Sequence, residues 1–290
     1  MQKLIYINLL NEQVVFMHAP FVLVKLGGLG LPDVNVETLQ GVYQQGDSTA
    51  SLRRGARHVT LTLHLMADTR AEMYALRQRL MGVLSPDRAF DGTERARLIY
   101  ENDYGRYETY AVPEGGLEAE KRIRNIQPNL KLTFRCESPY WYELARREVY
   151  FGYSGVGFTL PFEYPVSFGR REFSQEAVNP GQVAVPVELV VSGRGETPSI
   201  LNRRSGKRLA LTAPLPIGST LTLNTDPARL AATVTDANDA TTSAFGLLDV
   251  STPLADFTLL PGSNELVYEA GGAGAQSEIR VRWRAAYEGV

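Results

Sequence analysis

The sequence predicts a mainly β protein with two domains, and three observations lead to this prediction. Two segments, Val59–Leu65 and Leu130–Cys136, alternate apolar and polar residues with the period of two that a half-buried strand requires. Only one segment, residues 70–84, has the periodicity of an amphipathic helix. The second half of the chain consists of short strand-like runs separated by Gly, Pro and Asn, which is typical of a jelly-roll type β-sandwich. We therefore place a β-sandwich with one α-helix and a hairpin in residues 1–143 and a second β-sandwich in residues 144–290.

Strand-like runs separated by turns precede the helix. Residues 27–33, Gly-Gly-Leu-Gly-Leu-Pro-Asp, and residues 44–48 are rich in turn formers. Residues 47–55 are polar, small and basic, and we expect an exposed loop there. The glycines of the first turn do not predict a phosphate-binding loop, because no Lys-Ser/Thr pair follows them and no helix opens there. They are expected to give the backbone conformational freedom.

The predicted helix has recognisable ends. Thr69 and Glu72 have the spacing of a capping box, in which each side chain satisfies an amide at the start of the helix. Ser85-Pro86 ends it. The apolar residues that fall on one face, and that we expect to be buried, are Met73, Leu76, Leu80, Val83 and Leu84.

The strand Leu130–Cys136 leads into an aromatic connector. Pro139 cannot donate a hydrogen bond to a sheet, so the strand is expected to end before it. The aromatic residues that follow are Tyr140, Trp141 and Tyr142, and then Tyr150, Phe151 and Tyr153. Two interpretations stay open: an anchor for a partner protein, because Trp and Tyr dominate binding hot spots, or packing where the two domains meet.

The last predicted strand carries a basic row. Residues 278–285 place Ile279, Val281 and Trp283 on one face and Arg280, Arg282 and Arg284 on the other. An acidic partner surface would fit the three arginines, and a solvated strand face is the alternative interpretation. The glycine-rich stretch 270–275 before this strand is expected to be a hairpin connection.

Composition limits the possible functions. With 44% hydrophobic and 21% charged residues, the chain is an ordinary globular protein. The net charge is −2, and the chain up to Glu143 holds 17 Lys and Arg against 17 Asp and Glu, so we expect no stable binding to nucleic acid. The one cysteine, Cys136, excludes an intrachain disulfide. No apolar run is long enough to insert into a membrane, and the strand-like start lacks a signal-peptide cleavage region, so we expect synthesis in a cytoplasm.

No arrangement of residues predicts catalysis, a cofactor or a metal ion. His58 and His64 lie on one face of a strand but about 20 Å apart, too far for one ion, and we expect both to face solvent. Asp236, Asn238 and Asp239 lack the spacing of a calcium loop and predict a polar turn. A jelly-roll invites a glycosidase hypothesis, but spacing does not pair any two carboxylates. The acidic candidates are Glu163, Glu172, Glu188, Glu196 and Glu265.

The order of these parts resembles a known family. A strand, one helix ending in Leu-Ser-Pro, further β-structure and then residues 134–142, Phe-Arg-Cys-Glu-Ser-Pro-Tyr-Trp-Tyr, resemble the amino-terminal half of the distal tail (Dit) proteins of long-tailed bacteriophages. Four later segments are similar to the carboxy-terminal pattern of this siphovirus tail-component family: residues 179–193, 200–206, 221–225 and 259–266. Asn224 stands where an acidic residue is more usual.

The resemblance implies a structural virion protein. In this family the amino-terminal domains close into a hexameric ring with a central channel for DNA, and the second domain is a galectin-like β-sandwich. The partners it implies are the tail tube protein, the tail-tip hub or tail-associated protein and, as further candidates, receptor-binding proteins. The implied location is the tail tip of a virion made in a bacterial cytoplasm.

Two other classes of function stay open. A carbohydrate-binding β-sandwich acting in adhesion to the host surface is the main alternative, since galectin-like domains elsewhere stack sugars on exposed aromatic residues. Trp283 is a poor platform, because it alternates with the arginines and should point inward, and Trp141 lies in the connector. An enzyme is the third class, and no convergent polar cluster supports it.

Overall fold

The structure is a computed structural model that describes residues 2–118, 124–151, 172–194, 197–249, 251, 253–269 and 276–290. It is mainly β, which confirms the predicted fold class. The strands are β1 (Lys3–Ile7), β2 (Gln13–Phe16), β3 (Phe21–Gly27), β4 (Val34–Leu39), β5 (Ser48–Arg54), β6 (Arg57–Met66), β7 (Arg97–Glu101), β8 (Arg106–Gly116), β9 (Ile126–Cys136), β10 (Trp141–Glu143), β11 (Arg147–Phe151), β12 (Glu172–Asn179), β13 (Val185–Pro186), β14 (Glu188–Arg194), β15 (Ser199–Asn202), β16 (Lys207–Ala210), β17 (Thr220–Asn224), β18 (Ala231–Thr235), β19 (Thr241–Ser243), β20 (Thr258–Leu259), β21 (Gly262–Glu269), β22 (Gln276–Trp283) and β23 (Ala286–Tyr287). The helices are α1 (Arg70–Val83) and three short 3-10 helices, Pro86–Arg88, Phe245–Leu247 and Leu254–Asp256.

The chain divides into two compact units. The first unit comprises Met1–Leu144 together with Tyr287–Val290, and the second comprises Ala145–Ala286. The sequence predicts a single boundary between residues 143 and 144. The first unit differs from this prediction in that it also contains Leu144 and the last four residues. The glycine-rich stretch 270–275, predicted to connect a hairpin, lies outside the described residues.

The main antiparallel sheet of the first unit has its strands in the order β2-β1-β7-β8-β9-β6-β3, and β10 pairs with β8 beside this path. Strand β8 pairs with β7 through Arg106–Tyr110 and with β9 through Ala111–Gly116, so it joins the two halves of the sheet. The alternation that predicts β6 and β9 is matched by alternating burial, because every second side chain points into the core. The largest fully buried apolar side chains of this core are Trp141, Tyr6, Tyr100, Phe16, Phe134, Leu4, Leu63, Leu65 and Met73.

Helix α1 covers this sheet next to β6, β9 and β2. The Thr69 hydroxyl accepts a hydrogen bond from the Glu72 amide (3.2 Å), and the Glu72 carboxylate accepts one from the Asp68 amide (3.0 Å), so the cap forms much as predicted. On the predicted apolar face Met73, Leu80, Val83 and Leu84 are buried and Leu76 is half-buried. No helix among the described residues has the length and apolar character needed to cross a membrane.

Strands β4 and β5 pair only with each other among the described strands. They form a two-stranded hairpin, residues 34–54, which we call the ribbon. The predicted exposed loop at residues 47–55 is therefore wrong in conformation, because Ser48–Arg54 is a strand, although its residues are exposed apart from the half-buried Ser51. The loop prediction failed because a strand without a buried face has no apolar alternation.

The second unit is a β-sandwich. A six-stranded sheet in the order β11-β22-β14-β17-β18-β19 and a four-stranded sheet in the order β12-β21-β15-β16 are its layers, and β13 pairs with β20. Phe151 of the larger sheet packs against Tyr268 of the smaller one, with ring centroids 6.3 Å apart. The alternation of Ile279, Val281 and Trp283 buries all three residues, as the last predicted strand requires.

Candidate interaction surfaces

The residues considered as metal ligands do not form a site. No group of His, Cys, Asp and Glu among the described residues could hold a metal ion. His58 lies 3.4 Å from the Glu114 carboxylate, and the ring Nδ1 of His64 accepts a hydrogen bond from the Asn129 amide (3.1 Å). Each histidine therefore has a local structural partner.

The acidic residues considered for hydrolysis have separate partners. Glu188 of β14 lies 3.6 Å from Arg146 and 3.8 Å from Arg282, whereas Glu265 of β21, in the other sheet, lies 3.3 Å from Arg203. Glu163 and Glu196 lie outside the described residues, and so does the side chain of Glu172. The structure does not bring Glu188 and Glu265 together across a cleft, which a glycosidase requires.

The predicted polar turn around Asp236 is present. One Asp236 carboxylate oxygen accepts hydrogen bonds from the amides of Asn238 (2.8 Å) and Ala240 (2.9 Å). These bonds close the turn between β18 and β19, and Asp239 has the positive φ of 62° that such a turn allows for an aspartate. The Asp236 carboxylate therefore binds backbone amides of its own turn, as expected for a structural Asx turn.

The basic row is neutralised within its own sheet. Arg280 and Arg282 lie 3.6 and 2.8 Å from the Glu148 carboxylate of the neighbouring strand β11. Arg284 lies one residue beyond the end of β22 and is half-buried. The hydrogen bond that the Arg282 Nε donates to the Glu148 carboxylate holds the pKa of Arg282 above its usual value. A role for these arginines in binding an acidic partner stays a prediction, and such a partner would have to compete with Glu148.

The aromatic connector divides into buried and accessible parts. Trp141 is fully buried in the core of the first unit, 6.2 Å from the Tyr100 ring, and the Arg57 guanidinium lies 6.0 Å from its ring centroid. Tyr140 and Tyr142 are half-buried, and the Arg54 guanidinium lies 5.8 Å from the ring of Tyr140. Trp141 therefore offers no surface to a partner in this chain, and an interface role for the two tyrosines stays a prediction. Tyr153 lies outside the described residues.

A sugar-binding platform would need an exposed aromatic residue. The chain has two tryptophans, and Trp141 and Trp283 are both buried. The apolar cavity between the sheets of the second unit has a volume of about 20 Å³, close to the space of one water molecule. Neither the tryptophans nor this cavity offers such a platform. The exposed aromatic residues among the described part of the second unit are Tyr150 and Phe245, each a little less than half exposed.

Sequence reasoning missed the hydrogen-bond centre of the first unit, which is Arg57. Its side chain is buried, and Nε and Nη2 donate to the carbonyl oxygen of Pro139 at 2.9 and 2.7 Å. Nη1 donates to the carbonyls of Gly28 and Gly30, both at 2.6 Å, and Nη2 also donates to the carbonyl of Glu288. Burial lowers the pKa of the guanidinium, because the charged form loses water. The signal was present: the alternation that buries Val59 places Arg57 on the same inward face.

The last residues of the chain close around this arginine. The Val290 amide donates to the Leu29 carbonyl (3.0 Å), and Tyr287 packs edge-on against Tyr107 with ring centroids 5.3 Å apart. The Glu288 carboxylate forms an ion pair with Arg54, at the base of the ribbon. The carboxy-terminal residues are thus an integral part of the first unit.

The ribbon is the most exposed apolar segment of the described chain. Its strand register places Val36 opposite Leu52 on one face, with Val34 following on that face, whereas Glu37 faces Ser51 on the other. The Ser51 hydroxyl donates to the Glu37 carboxylate (2.6 Å), so the second face is polar. The large apolar side chains exposed in the ribbon and at its base are Leu31, Val34, Val36, Leu39, Val42, Tyr43 and Leu52.

A groove of about 390 Å³ lies elsewhere on the first unit. It opens where the two edge strands of the sheet, β2 and β3, approach each other, and the Met17 amide donates to the Phe21 carbonyl across that gap (3.1 Å). Its apolar lining residues are Val14, Val15, Met17, Ala19, Pro20 and Phe21. Its basic lining residues are Lys3, His18 and Arg79. We call this site the edge groove.

The whole chain is similar to solved phage tail structures. It aligns with the Dit protein of phage SPP1, described as a paradigm of the hub adsorption apparatus in phages that infect Gram-positive bacteria, with a TM-score of 0.65 and 11% identity over 99% of both chains. Chains of the phage P2 baseplate in its activated conformation align with TM-scores of 0.51 (calcium form, 11% identity) and 0.50 (strontium form, 14% identity), over 97% of this chain and 98% of theirs. No protein-family model and no curated protein matches the sequence. The chain therefore has the fold of phage Dit and baseplate proteins.

Proposed function

We propose that the protein is a structural component of a phage tail tip, a distal tail protein that acts without catalysis. The observation that carries this proposal is the alignment with the SPP1 Dit protein, which includes 99% of each chain and therefore both units, not one common β-sandwich. Glu188 and Glu265 pair with different arginines in different sheets, so these two carboxylates give no support to a hydrolase.

The proposed assembly is a hexameric ring of first units. The ring joins the tail tube protein to the tail-tip hub, and the second units carry further tail proteins, receptor-binding proteins among them. Repeated use of one asymmetric contact closes a ring when the rotation per subunit divides a full turn. The exposed apolar ribbon supports this proposal, because a contiguous apolar patch on the surface of a soluble protein marks a site of interaction with another protein.

DNA leaving the virion would pass through the channel of such a ring. A passage that must release DNA quickly cannot bind phosphates strongly, because each Lys or Arg contact adds affinity through counterion release. The first 143 residues hold equal numbers of basic and acidic residues, 17 of each. We therefore expect the ring to bind duplex DNA weakly, and a gel-shift titration at physiological salt is the direct measurement.

The test of the proposed function is the location of the chain in particles. Virions or tail-derived particles produced from the genome that encodes the chain would be labelled with antibodies against the second unit and imaged by electron microscopy. We expect label at the end of the tail, and class averages of the purified protein that show rings with a hole. Label on the capsid, or particles of full length and infectivity that lack the chain, would contradict a tail-tip role.

A further inference from the structure

Among the described residues of its own unit, no other strand pairs with the ribbon, and its apolar face is exposed. Val36 and Leu52 lie side by side with more than half of each side chain accessible to water. A two-stranded hairpin alone is marginally stable in water, and exposing apolar side chains adds no stabilisation. At its tip Val42 and Tyr43 are 94% and 99% exposed. A surface that covers this face in the working assembly would account for both observations.

The edge groove has the complementary chemistry. Six of its lining residues are apolar and three are basic, Lys3, His18 and Arg79, and Lys3 also lies 4.0 Å from the Glu101 carboxylate. The ribbon beyond its base combines apolar side chains with the acidic residues Glu37 and Asp47. An apolar and acidic projection matches an apolar and basic groove both in burial and in the sign of charge.

The two surfaces lie at opposite ends of one strand pair. Strands β3 and β6 are antiparallel, and the ribbon connects their Gly27 and Arg57 ends. Phe21, at the other end of β3, lines the edge groove. Six residue steps separate the two ends, which is roughly 20 Å at the rise of a β-strand. A projection at one end and a groove at the other suit a head-to-tail contact between identical molecules.

We propose that the ribbon of one copy of this chain docks, tip first, into the edge groove of a second copy. The inference rests on the proposed ring and identifies the two surfaces that form it. Val42 and Tyr43 enter the apolar part of the groove, and Asp47 lies near Arg79. Because each copy carries one ribbon and one groove, every junction in the ring is the same, and closure leaves neither surface exposed.

A second copy fits the ribbon better than a nucleic acid does. A phosphate backbone requires concentrated Lys and Arg, whereas the ribbon carries acidic Glu37 and Asp47, and one of its two arginines, Arg54, is already paired with Glu288. Both halves of a complementary contact occur on this chain, so a second kind of protein is unnecessary to cover the ribbon.

The first experiment removes one surface at a time from the full-length protein. The tip variant, Val42→Asp with Tyr43→Ser, removes the apolar side chains at the tip of the ribbon. The groove variant, Lys3→Glu with Arg79→Glu, reverses the charge of the edge groove. Val42, Tyr43 and Arg79 are exposed, so their substitutions should leave circular dichroism as in wild type. Lys3 is half-buried and lies 4.0 Å from Glu101, so Arg79→Glu alone is also measured, to separate the loss of that ion pair from the loss of docking. The matched control, Ile217→Asp with Tyr104→Ser, changes an exposed aliphatic residue (76%) and an exposed tyrosine (90%) that lie outside both surfaces. We expect self-association, measured by analytical ultracentrifugation, to weaken about 30-fold or more for tip and groove variants, as for loss of a binding hot spot, and to stay unchanged for the control.

The second experiment mixes the two defective proteins. The tip variant retains its groove and the groove variant retains its tip, so one junction forms between them and growth stops there. We expect a one-to-one complex by mass photometry and no ring in negative-stain images. Asp47→Lys alone should weaken association, and Asp47→Lys combined with Arg79→Glu should recover part of it, because the reversed pair is again complementary.

The outcomes separate this inference from the proposed function. Wild-type rings that persist in the tip variant overturn the docking contact and leave the ring intact. Tip variants that form rings but no longer bind the tail tube protein assign the ribbon to that partner and likewise overturn the inference. Tip-dependent self-association that is not hexameric supports the docking contact and contradicts the hexameric ring. A wild-type protein that is monomeric at high concentration and in particles overturns both.

Discussion

The ribbon ends three residues before Arg57, which with the backbone carbonyls that it binds forms what we call the Arg57 cluster. The two regions differ in burial and in the partners of their arginines. Arg57 is buried, and its guanidinium donates to backbone carbonyls from three separate segments. Arg54, at the end of the ribbon, has 44% of its side chain accessible and a surface ion pair with Glu288. The same residue type therefore fixes the interior of the unit at one position and its solvent-exposed edge at the other. The difference shows that the chain specifies the core of this unit by itself, whereas none of the described residues covers the ribbon.

The strongest test of this comparison is to remove the Arg57 cluster. Arg57→Met keeps much of the side-chain volume but leaves the carbonyls of Pro139, Gly28 and Glu288 without their donor. We expect the free energy of unfolding to fall by about 3–5 kcal/mol, because several buried carbonyls lose a charged donor and each unsatisfied buried group costs about 1–3 kcal/mol. Urea denaturation followed by tryptophan fluorescence measures it, because Trp141 lies beside the guanidinium.

The thiol of Cys136 provides a local probe of the structure around Arg57. Cys136 is paired with Arg57 in the strand register, and burial raises the pKa of its thiol to about 12, so the reactive thiolate is absent at neutral pH in the folded protein. Thiol labelling should be slow in wild type and in Arg53→Met, which changes an exposed arginine of the ribbon, and faster in Arg57→Met. Equal stability of Arg57→Met and Arg53→Met would remove the distinction between the two regions.

The helix offers a second contrast between interior and surface, with a somewhat smaller effect. Leu80 and Met81 are neighbours in α1, but Leu80 is fully buried and Met81 is exposed. Leu80→Ala should cost about 2–5 kcal/mol, because it leaves a cavity under the helix, and Met81→Ala should cost much less. Thermal unfolding of the two variants compares them directly. A Leu80→Ala protein as stable as Met81→Ala would show that this face of the helix is not packed.

The ion pairs of the basic row extend the comparison to the surface of the second unit. Glu148 lies within ion-pair distance of Arg280 and Arg282, and the side chains of all three residues are substantially accessible. Glu148→Gln is therefore expected to change the free energy of unfolding by less than about 1 kcal/mol, and by less still in high salt. A loss of several kcal/mol that salt does not reduce would show that the row is part of the core energetics.

The ribbon itself should contribute least to the stability of a single chain. Val36→Ser and Leu52→Ser exchange water-exposed apolar groups for polar ones, so each should change the free energy of unfolding of the dispersed protein by no more than about 0.5 kcal/mol. Backbone amides of the ribbon should exchange hydrogen quickly in the dispersed protein and slowly in the assembled ring. Slow exchange of these amides in a monomer would mean that the ribbon is stabilised by its own chain.

The sequence predicted the elements that have a buried face and missed a strand that has none. Periodic burial marks β6, β9 and α1, because each of them has a buried face, and those elements were predicted with boundaries close to the observed ones. Strand β5 has no buried face, so its polar sequence predicted a loop. The interior of the fold is thus readable from one chain, whereas a surface that a partner covers leaves no periodic signal.

The site residues show the limit of single-residue reasoning. Arg57 was not predicted to be buried, because a charged residue at the end of a strand is usually exposed to solvent. Only its position two residues before Val59, on the same face of the strand, indicates a side chain that points inward. Trp141 was considered as an anchor because of its type, and the structure buries it against Tyr100. No local pattern indicates that Glu288 returns to accept a hydrogen bond from Arg57, since that contact joins residues 231 positions apart.

Because residues 287–290 belong to the first unit, this unit can be completed only after the second unit has been synthesised. The ribosome must add residues 145–286 before the segment that completes the first unit can emerge. At about 5–20 residues per second, that takes roughly 7–30 s. During this interval Arg57 lacks the Glu288 carbonyl, so we expect the nascent first unit to be loosely closed and slow to recruit neighbours. Nascent chains stalled before residue 287 should expose Cys136 to thiol labelling, and chains released after residue 290 should protect it.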